Sequence, residues 1–126
     1  MQKAQQVQEL EVYQESVRLQ QDIFELSKTW PKTESYSLTD QIRRSSRSVG
    51  ANLAEAWAKR RYPAHFLSKL TDADGELSET RHWIFTAHAC GYIDDQQQDR
   101  LTSSAASVGG MLGSMIAKHR QFCLPT

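Results

Sequence analysis

The stretch "SVGANLAEAWAKRR" at residues 48–61 ends in three consecutive cations, Lys59, Arg60 and Arg61, and Arg43, Arg44 and Arg47 lie just upstream of it. Guanidinium and ammonium groups gathered in this way are the side chains that bind the phosphate oxygens of nucleic acids. Against Glu55 alone they give residues 43–61 a net charge of +5. An acidic block follows, in which Asp72, Asp74, Glu76, Glu79, Asp94, Asp95 and Asp99 against Arg81 leave residues 72–99 at −6. Two assignments of the basic block stay open. It contacts phosphate, with Lys59, Arg60, Arg61 and Arg44 as the binding residues, or its arginines pair with Asp72, Glu76 and Glu79 of a neighbouring helix or subunit. Arg43 and Arg47 have the character of interface residues, whereas Arg60 and Arg61 adjoin the irregular Tyr62-Pro63 turn and suit phosphate.

Other residue types that do chemistry are present without the partners they need. Asn52 and Glu55 border one helical stripe as a polar pair, but no nucleophile accompanies them, and such groups serve to fix helix register by hydrogen bonding. His119 and Cys123 are four residues apart, and His88 and Cys90 lie close together; these are ligand types that zinc accepts. His88 and Cys90 do not share a helical face, however, and neither CxxC nor HExxH occurs. Trp30, Trp57 and Trp83 have the type for stacking on bases. Core or interface packing accounts for Trp30 and Trp57, and Trp83 lies beside the carboxylates. Glycine-rich phosphate loops and serine elbows are missing as well, so the reading is a non-enzyme that calls for no cofactor and no metal.

The elements that position these residues are helices. The chain has 126 residues, the length of one domain, with 39% hydrophobic residues and only three prolines and six glycines. Fifteen basic residues balance fifteen acidic ones, so attraction to nucleic acid rests on how charge is distributed and not on its sum. No apolar run reaches the ~20 residues that span a bilayer, which points to a cytoplasmic protein without membrane contact. Two cysteines, Cys90 and Cys123, are expected to be reduced packing residues.

Val12, Ser16, Leu19, Ile23, Leu26 and Trp30 recur at spacings of three and four, which predicts a helix over about residues 8–29, stopped by Pro31. A second helix over about 39–60, capped by Ser37 or Thr39, buries Ile42, Val49, Leu53, Ala56 and Trp57 and ends where Pro63 makes Tyr62 extended. A third over about 64–90 turns Phe66, Leu70, Ala73, Leu77, Ile84 and His88 inward and stops at Gly91. A fourth over about 95–121, opening at Asp94 or Asp95, buries Leu101, Ala105, Val108, Leu112, Met115 and His119, with Gly109 and Gly113 permitting tight contact. Four such helices with short connections make an all-α, antiparallel up-down-up-down four-helix bundle in one domain, residues 1–126.

Two surfaces are left over. The first helix has a second apolar line in Leu10, Tyr13, Val17 and Phe24, and the outer side of the second is an alanine groove, Ala51, Ala54 and Ala58, framed by Arg43, Arg47, Arg44 and Glu55. Surplus apolar surface marks an interface, and a homo-oligomer is the simplest occupant.

The segments "LEVYQESVRLQQDIFELSKTWPK", "YSLTDQIRRSSRSVGANLAEAWAKRR" and "HFLSKLTDADGELSETRHWIFTAHACGYI" together resemble the four-helix bundle family encoded in intervening sequences of bacterial 23S ribosomal RNA genes. The residues that show it most are Leu38-Thr39 with Gln41-Ile42-Arg43-Arg44, Ser48-Val49 with Asn52-Leu53-Ala54-Glu55, Arg60 with Phe66, and Gly75-Glu76-Leu77 with Glu79 and Gly91-Tyr92. A looser resemblance extends to the accessory variability proteins of diversity-generating retroelements. The resemblance covers about residues 10–95; Ala56 departs from it, since the family usually has glycine there, and the fourth helix matches only in being amphipathic. It implies a homopentamer arranged as a barrel, no enzymatic activity and, from the retroelement relatives, association with RNA or DNA and with a nucleic-acid-processing protein. The expected function is therefore an oligomeric scaffold associated with nucleic acid. The alternatives are a protein-protein interaction hub without nucleic-acid binding and a metal-binding enzyme.

Overall fold

A computed structural model describes residues 4–125. Helix α1 spans Glu11–Ser27, α2 Asp40–Ala58, α3 Pro63–Ala89 and α4 Asp95–Ala117. Short 3-10 turns precede α1 at Val7–Glu9 and follow α4 at His119–Phe122.

Contacts between helices fix their directions. From Arg44 to Glu55 along α2, the partners on α3 run backwards from Glu79 to Lys69, so the two helices are antiparallel. Likewise Ser27 meets Arg43 of α2 and Ser16 meets Gly50, which makes α1 and α2 antiparallel. Arg81 reaches the carbonyl of Ala105 and Phe66 meets Phe122 on the α3–α4 side, and Asp22 and Glu15 of α1 bond Arg100 and Ser104 of α4. Each helix thus runs against both neighbours, which is the up-down-up-down bundle expected from four stripes and short loops.

The predicted stripes form the core. Val12, Leu19, Ile23 and Trp30, then Ile42, Val49, Leu53, Ala56 and Trp57, then Phe66, Leu70, Ala73, Leu77 and Ile84, and finally Leu101, Ala105, Val108, Leu112 and Met115 are all buried. Three expected core residues are only half-buried. At the end of α1 Leu26 yields the inward position to Ser27. His88 is half-buried and its Nε2 sits 2.6 Å from Asp95 Oδ1, because Ala87 takes the inward position. His119, also half-buried, falls in the terminal 3-10 turn with Nδ1 3.0 Å from the Ile116 carbonyl.

Helix ends follow local chemistry. The Asp94 side chain accepts from the Gln97 amide at 2.7 Å while Gln97 returns a bond to the Asp94 amide, a capping box that starts α4. Gly91, at φ +78°, closes α3: the Tyr92 amide donates to the Ala87 carbonyl and the Gly91 amide to His88, the paired bonds of a Schellman turn. Tyr62 is extended before Pro63, as expected. The start of α2 differs from the expectation. Neither Ser37 nor Thr39 caps it; the Ser37 hydroxyl donates to Glu34 at 2.6 Å, and α2 continues from a π-type turn, Ser35–Thr39, that buries Leu38. Glu34 also accepts from the Tyr92 hydroxyl at 2.7 Å, a bond that pushes the phenol up to about 12 and ties the α3–α4 connection to the α1–α2 connection.

α2 packs closely on both sides through small residues. Ser45, Ser46, Gly50 and Ala56 are buried, and a Cβ at Gly50 would come within 3.3 Å of Ser16 Oγ and 3.6 Å of the Tyr13 ring. Facing α3, the hydroxyls of Ser45 and Thr80 lie 2.9 Å apart, and each also reaches a carbonyl of its own helix, Ile42 and Glu76. Gly109 serves α3–α4 similarly, since a Cβ there would meet Arg81; Gly113 has open space around it and makes no such contact.

The buried hydroxyl pair defines a double-mutant cycle. Thr80→Val should lower stability by about 1–2 kcal/mol, by leaving Ser45 with one weak partner. Ser45→Ala combined with Thr80→Val should cost less than the two single changes summed, because neither hydroxyl is then left unpaired. Urea titrations of the three variants measure this; additive costs would show that the hydroxyls do not act as a pair.

Candidate nucleic-acid interface

Arg43, Arg44 and Arg47 leave α2 in different directions because each residue advances ~100° around a helix. Arg43 turns toward α1: its Nε donates to Ser27 Oγ at 2.9 Å, and its guanidinium lies 4.8 Å from the centre of the Phe24 ring. Arg47, one turn on, lies over the same ring at 5.5 Å, and Lys28 approaches it at 4.9 Å. Three cations therefore roof Phe24, which the amino-acid pattern alone assigned to a subunit interface. Arg44 turns toward α3, donating to Gln41 and to Glu79 Oε2, both at 3.1 Å.

Of the pairings expected between the basic block and the acidic stripe, the structure makes Arg44–Glu79 within one chain. Arg43 and Arg47 do not reach the stripe. Asp72 instead pairs with Lys69 at 3.7 Å, and Lys69 also bridges to Glu55 at 2.8 Å, which lowers the Glu55 pKa and raises that of Lys69. Glu76 has no ion pair among the described residues. Asn52 donates to the Ser48 carbonyl one turn back, at 2.8 Å.

The three arginines line one open groove of about 540 Å³ on the outer side of α2, with Ser35, Thr39, Asp40, Ser48 and Ala51. Three guanidinium groups, three hydroxyl-bearing residues, one carboxylate residue and one alanine make up its lining. Tyr36, between two of the lining residues, is 94% exposed. Its one mark in the sequence is that of a tyrosine outside every apolar stripe, in a serine-rich turn. Ala51 and Ala58 are exposed and Ala54 is half-buried; Tyr13 and Val17 on α1 are half-buried.

The cluster at the end of α2 divides. Lys59 and Arg61 are exposed. Arg60 folds back instead: its guanidinium stacks 3.8 Å from the Trp57 ring centre and its Nε donates to the Trp57 carbonyl at 2.9 Å. That stacking holds the Arg60 guanidinium against Trp57.

The tryptophans are engaged within the chain. Trp30 is buried against Tyr92, ring centres 5.9 Å apart; Trp57 Nε1 donates to the Gln5 carbonyl; and Trp83 Nε1 donates to Glu79, the carboxylate that also holds Arg44. Cys123 Sγ contacts the His119 carbonyl at 3.5 Å, and no group of three or more His, Cys, Asp or Glu side chains is gathered among the described residues. No helix among them is long and apolar enough to cross a membrane.

A solved structure from Bacteroides thetaiotaomicron, described as a protein of unknown function from the S23 ribosomal protein family, is similar at a TM-score of 0.76 and 28% identity, covering 84% of this chain and 95% of that one. No curated protein matches. Residues 8–114 match the 23S rRNA-intervening sequence protein family, and the chain belongs to that family.

Proposed function

We propose that this protein is a non-enzymatic, self-associating helical scaffold that holds nucleic acid along the outer face of α2. The observation that supports the reading is the arginine-lined groove: Arg43, Arg44 and Arg47 line it together with hydroxyls of Ser35, Thr39 and Ser48, donors suited to successive phosphates. The one acidic residue in the lining is Asp40, and the ion pair that engages Arg44 is exposed, so phosphate competes with Glu79 at little cost. Tyr36 beside the groove supplies a face on which an unpaired base stacks, which favours a single strand. Lys59 and Arg61 add two exposed cations just past the end of α2. Self-association uses the exposed alanines of α2 and the half-buried Tyr13 and Val17; the resemblance implies five subunits. A nucleic-acid-processing protein is the natural further partner of such an assembly.

A second reading, a protein-binding hub, is favoured by Phe85, a large apolar side chain on α3 that is 66% exposed. It requires no affinity for nucleic acid, and the two readings separate on salt dependence.

Single-stranded RNA, a uridine 20-mer, should bind with log affinity falling linearly in log salt concentration. Arg47→Ala should reduce that slope by ~0.7. Tyr36→Ala should weaken binding with the slope unchanged, since stacking releases no counterion. Fluorescence anisotropy between low and moderate salt measures both, and equal affinities for the wild type and both variants would reject the groove as the contact. For self-association, Ala58→Glu should drop the mass in light scattering toward the 14.4 kDa of one chain, while wild-type protein gives a multiple of it. An unchanged multiple in the variant would remove α2 from the seam.

A further inference from the structure

The other end of α2 has a pocket that the scaffold reading does not use. About 320 Å³ in volume, it lies where the segment after α4 folds back over the bundle, and Leu10, Trp57, Phe122, Cys123, Leu124 and Pro125 form most of its wall. The wall is held in place. The Leu124 amide donates to the Arg60 carbonyl at 3.1 Å, and Phe122 packs on Phe66, ring centres 6.4 Å apart. The volume is at the lower end of the range for small-molecule sites, and the lining is mostly apolar; its polar side chains are Gln121, which is exposed, and one group of fixed orientation.

That polar group is Arg60. Stacking on Trp57 and the bond from Nε to the Trp57 carbonyl lock the guanidinium plane, and the four remaining N–H groups have no acceptor among the described residues. No carboxylate among those residues is in ion-pair contact with it, although ion pairs satisfy Arg18, Arg44 and Arg100 elsewhere on the same surface. Burial pulls its pKa below the ordinary arginine value, yet the group stays protonated at neutral pH. A cation of fixed geometry facing a mostly apolar cavity, with no ion-pair partner among the described residues, is complementary to an anion with an apolar body. Phosphate is a poor match, because its several charges would have to leave water against Leu10 and Phe122. A carboxylate presents two oxygens to the guanidinium fork and a hydrocarbon body to the wall.

We infer that the Trp57–Arg60 pocket is a binding site for a small amphipathic carboxylate, with Arg60 holding the carboxylate and Leu10, Phe122 and Leu124 burying its apolar part. Octanoate is the probe, by isothermal titration calorimetry and amide chemical shifts on the full chain. Saturable binding at one site per chain is expected, roughly tenfold or more weaker for Arg60→Gln, since a charge-assisted hydrogen bond is lost. Octanol should bind at least tenfold more weakly than octanoate. Leu124→Asp, at a side chain 43% exposed and therefore tolerant of change, places a carboxylate beside Arg60 and should block the probe while the thermal transition is kept. Equal octanoate affinity in the wild type, Arg60→Gln and Leu124→Asp would overturn the assignment. So would equal binding of octanol, or the absence of saturable binding.

Discussion

α2 is pressed between α1 and α3, and the arrangement of charge on this protein follows from that. Its inward arc is built from Ser45, Ser46, Val49, Gly50, Leu53 and Ala56, all buried. At Gly50 even a methyl group would stand 3.3 Å from Ser16 Oγ, and at Ser45 the approach of α3 brings two hydroxyls to 2.9 Å. Helices this close leave no room for a long side chain between them, since protein interiors have packing densities near those of organic crystals. Every long polar side chain on the first half of α2 is therefore displaced to its outer arc or flanks. Three of them are arginines, and they line a single groove because packing on the opposite side allows them nowhere else.

The same packing decides which charges meet. Arg43 and Arg44 are neighbours in sequence, yet one bonds Ser27 on α1 and the other Glu79 on α3. Arg47 returns to the α1 side and adds a second guanidinium over Phe24. Only one of the three is thereby neutralised, and through an exposed bridge that contributes at most ~1 kcal/mol. On α3 the carboxylate of Glu79 is shared between Arg44 and Trp83, while Asp72 and Glu55 share Lys69. The zero net charge of the chain thus conceals an uneven distribution, +5 over residues 43–61 and −6 over residues 72–99, bridged where Arg44 meets Glu79.

Much of this was legible in the amino-acid order, because burial on one face of a helix imposes a period that residue types must follow. The stripes of Ile42, Val49 and Leu53 or of Leu101, Ala105 and Val108 identify their helices and their inward faces, and Pro63 and Gly91 mark their ends. What was not legible depended on the identity of the neighbour. Thr80 sits at the apolar period between Leu77 and Ile84 but reads as polar until Ser45 is found opposite. Ser37 has the chemistry of a cap, yet Glu34 competes for its hydroxyl and wins at 2.6 Å. Phe24 belongs to a surplus apolar line only while the cations that cover it are unplaced. Gly109 and Gly113 are alike in sequence and differ because Arg81 lies over one of them. For the candidate groove, the arginines were legible and their grouping was not: residue pattern alone gives Arg43 and Arg47 to an interface and Arg44 to phosphate, and it leaves Tyr36 outside every stripe.

Arg47 and Arg60 show how position on one helix gives a single residue type two kinds of electrostatics. Arg47 stands in water, where attraction to an anion is screened over a Debye length of ~8 Å at physiological ionic strength. Its interactions are long-ranged and non-selective at low salt and weaken as salt rises, which suits a polymer of phosphates. Arg60 is partly desolvated by Trp57 and the segment over the pocket, so ions in solution screen its contacts less, and its reach is limited to what enters the cavity. Salt that loosens a ligand from the groove should leave one in the pocket nearly unaffected, and the apolar part of the second contact would be slightly strengthened by salts excluded from protein surfaces. The difference arises from packing alone: Gly50 and Ser45 hold the first half of α2 against its neighbours and push its arginines outward, while beyond Trp57 the chain after α4 folds over the helix end and encloses the next one.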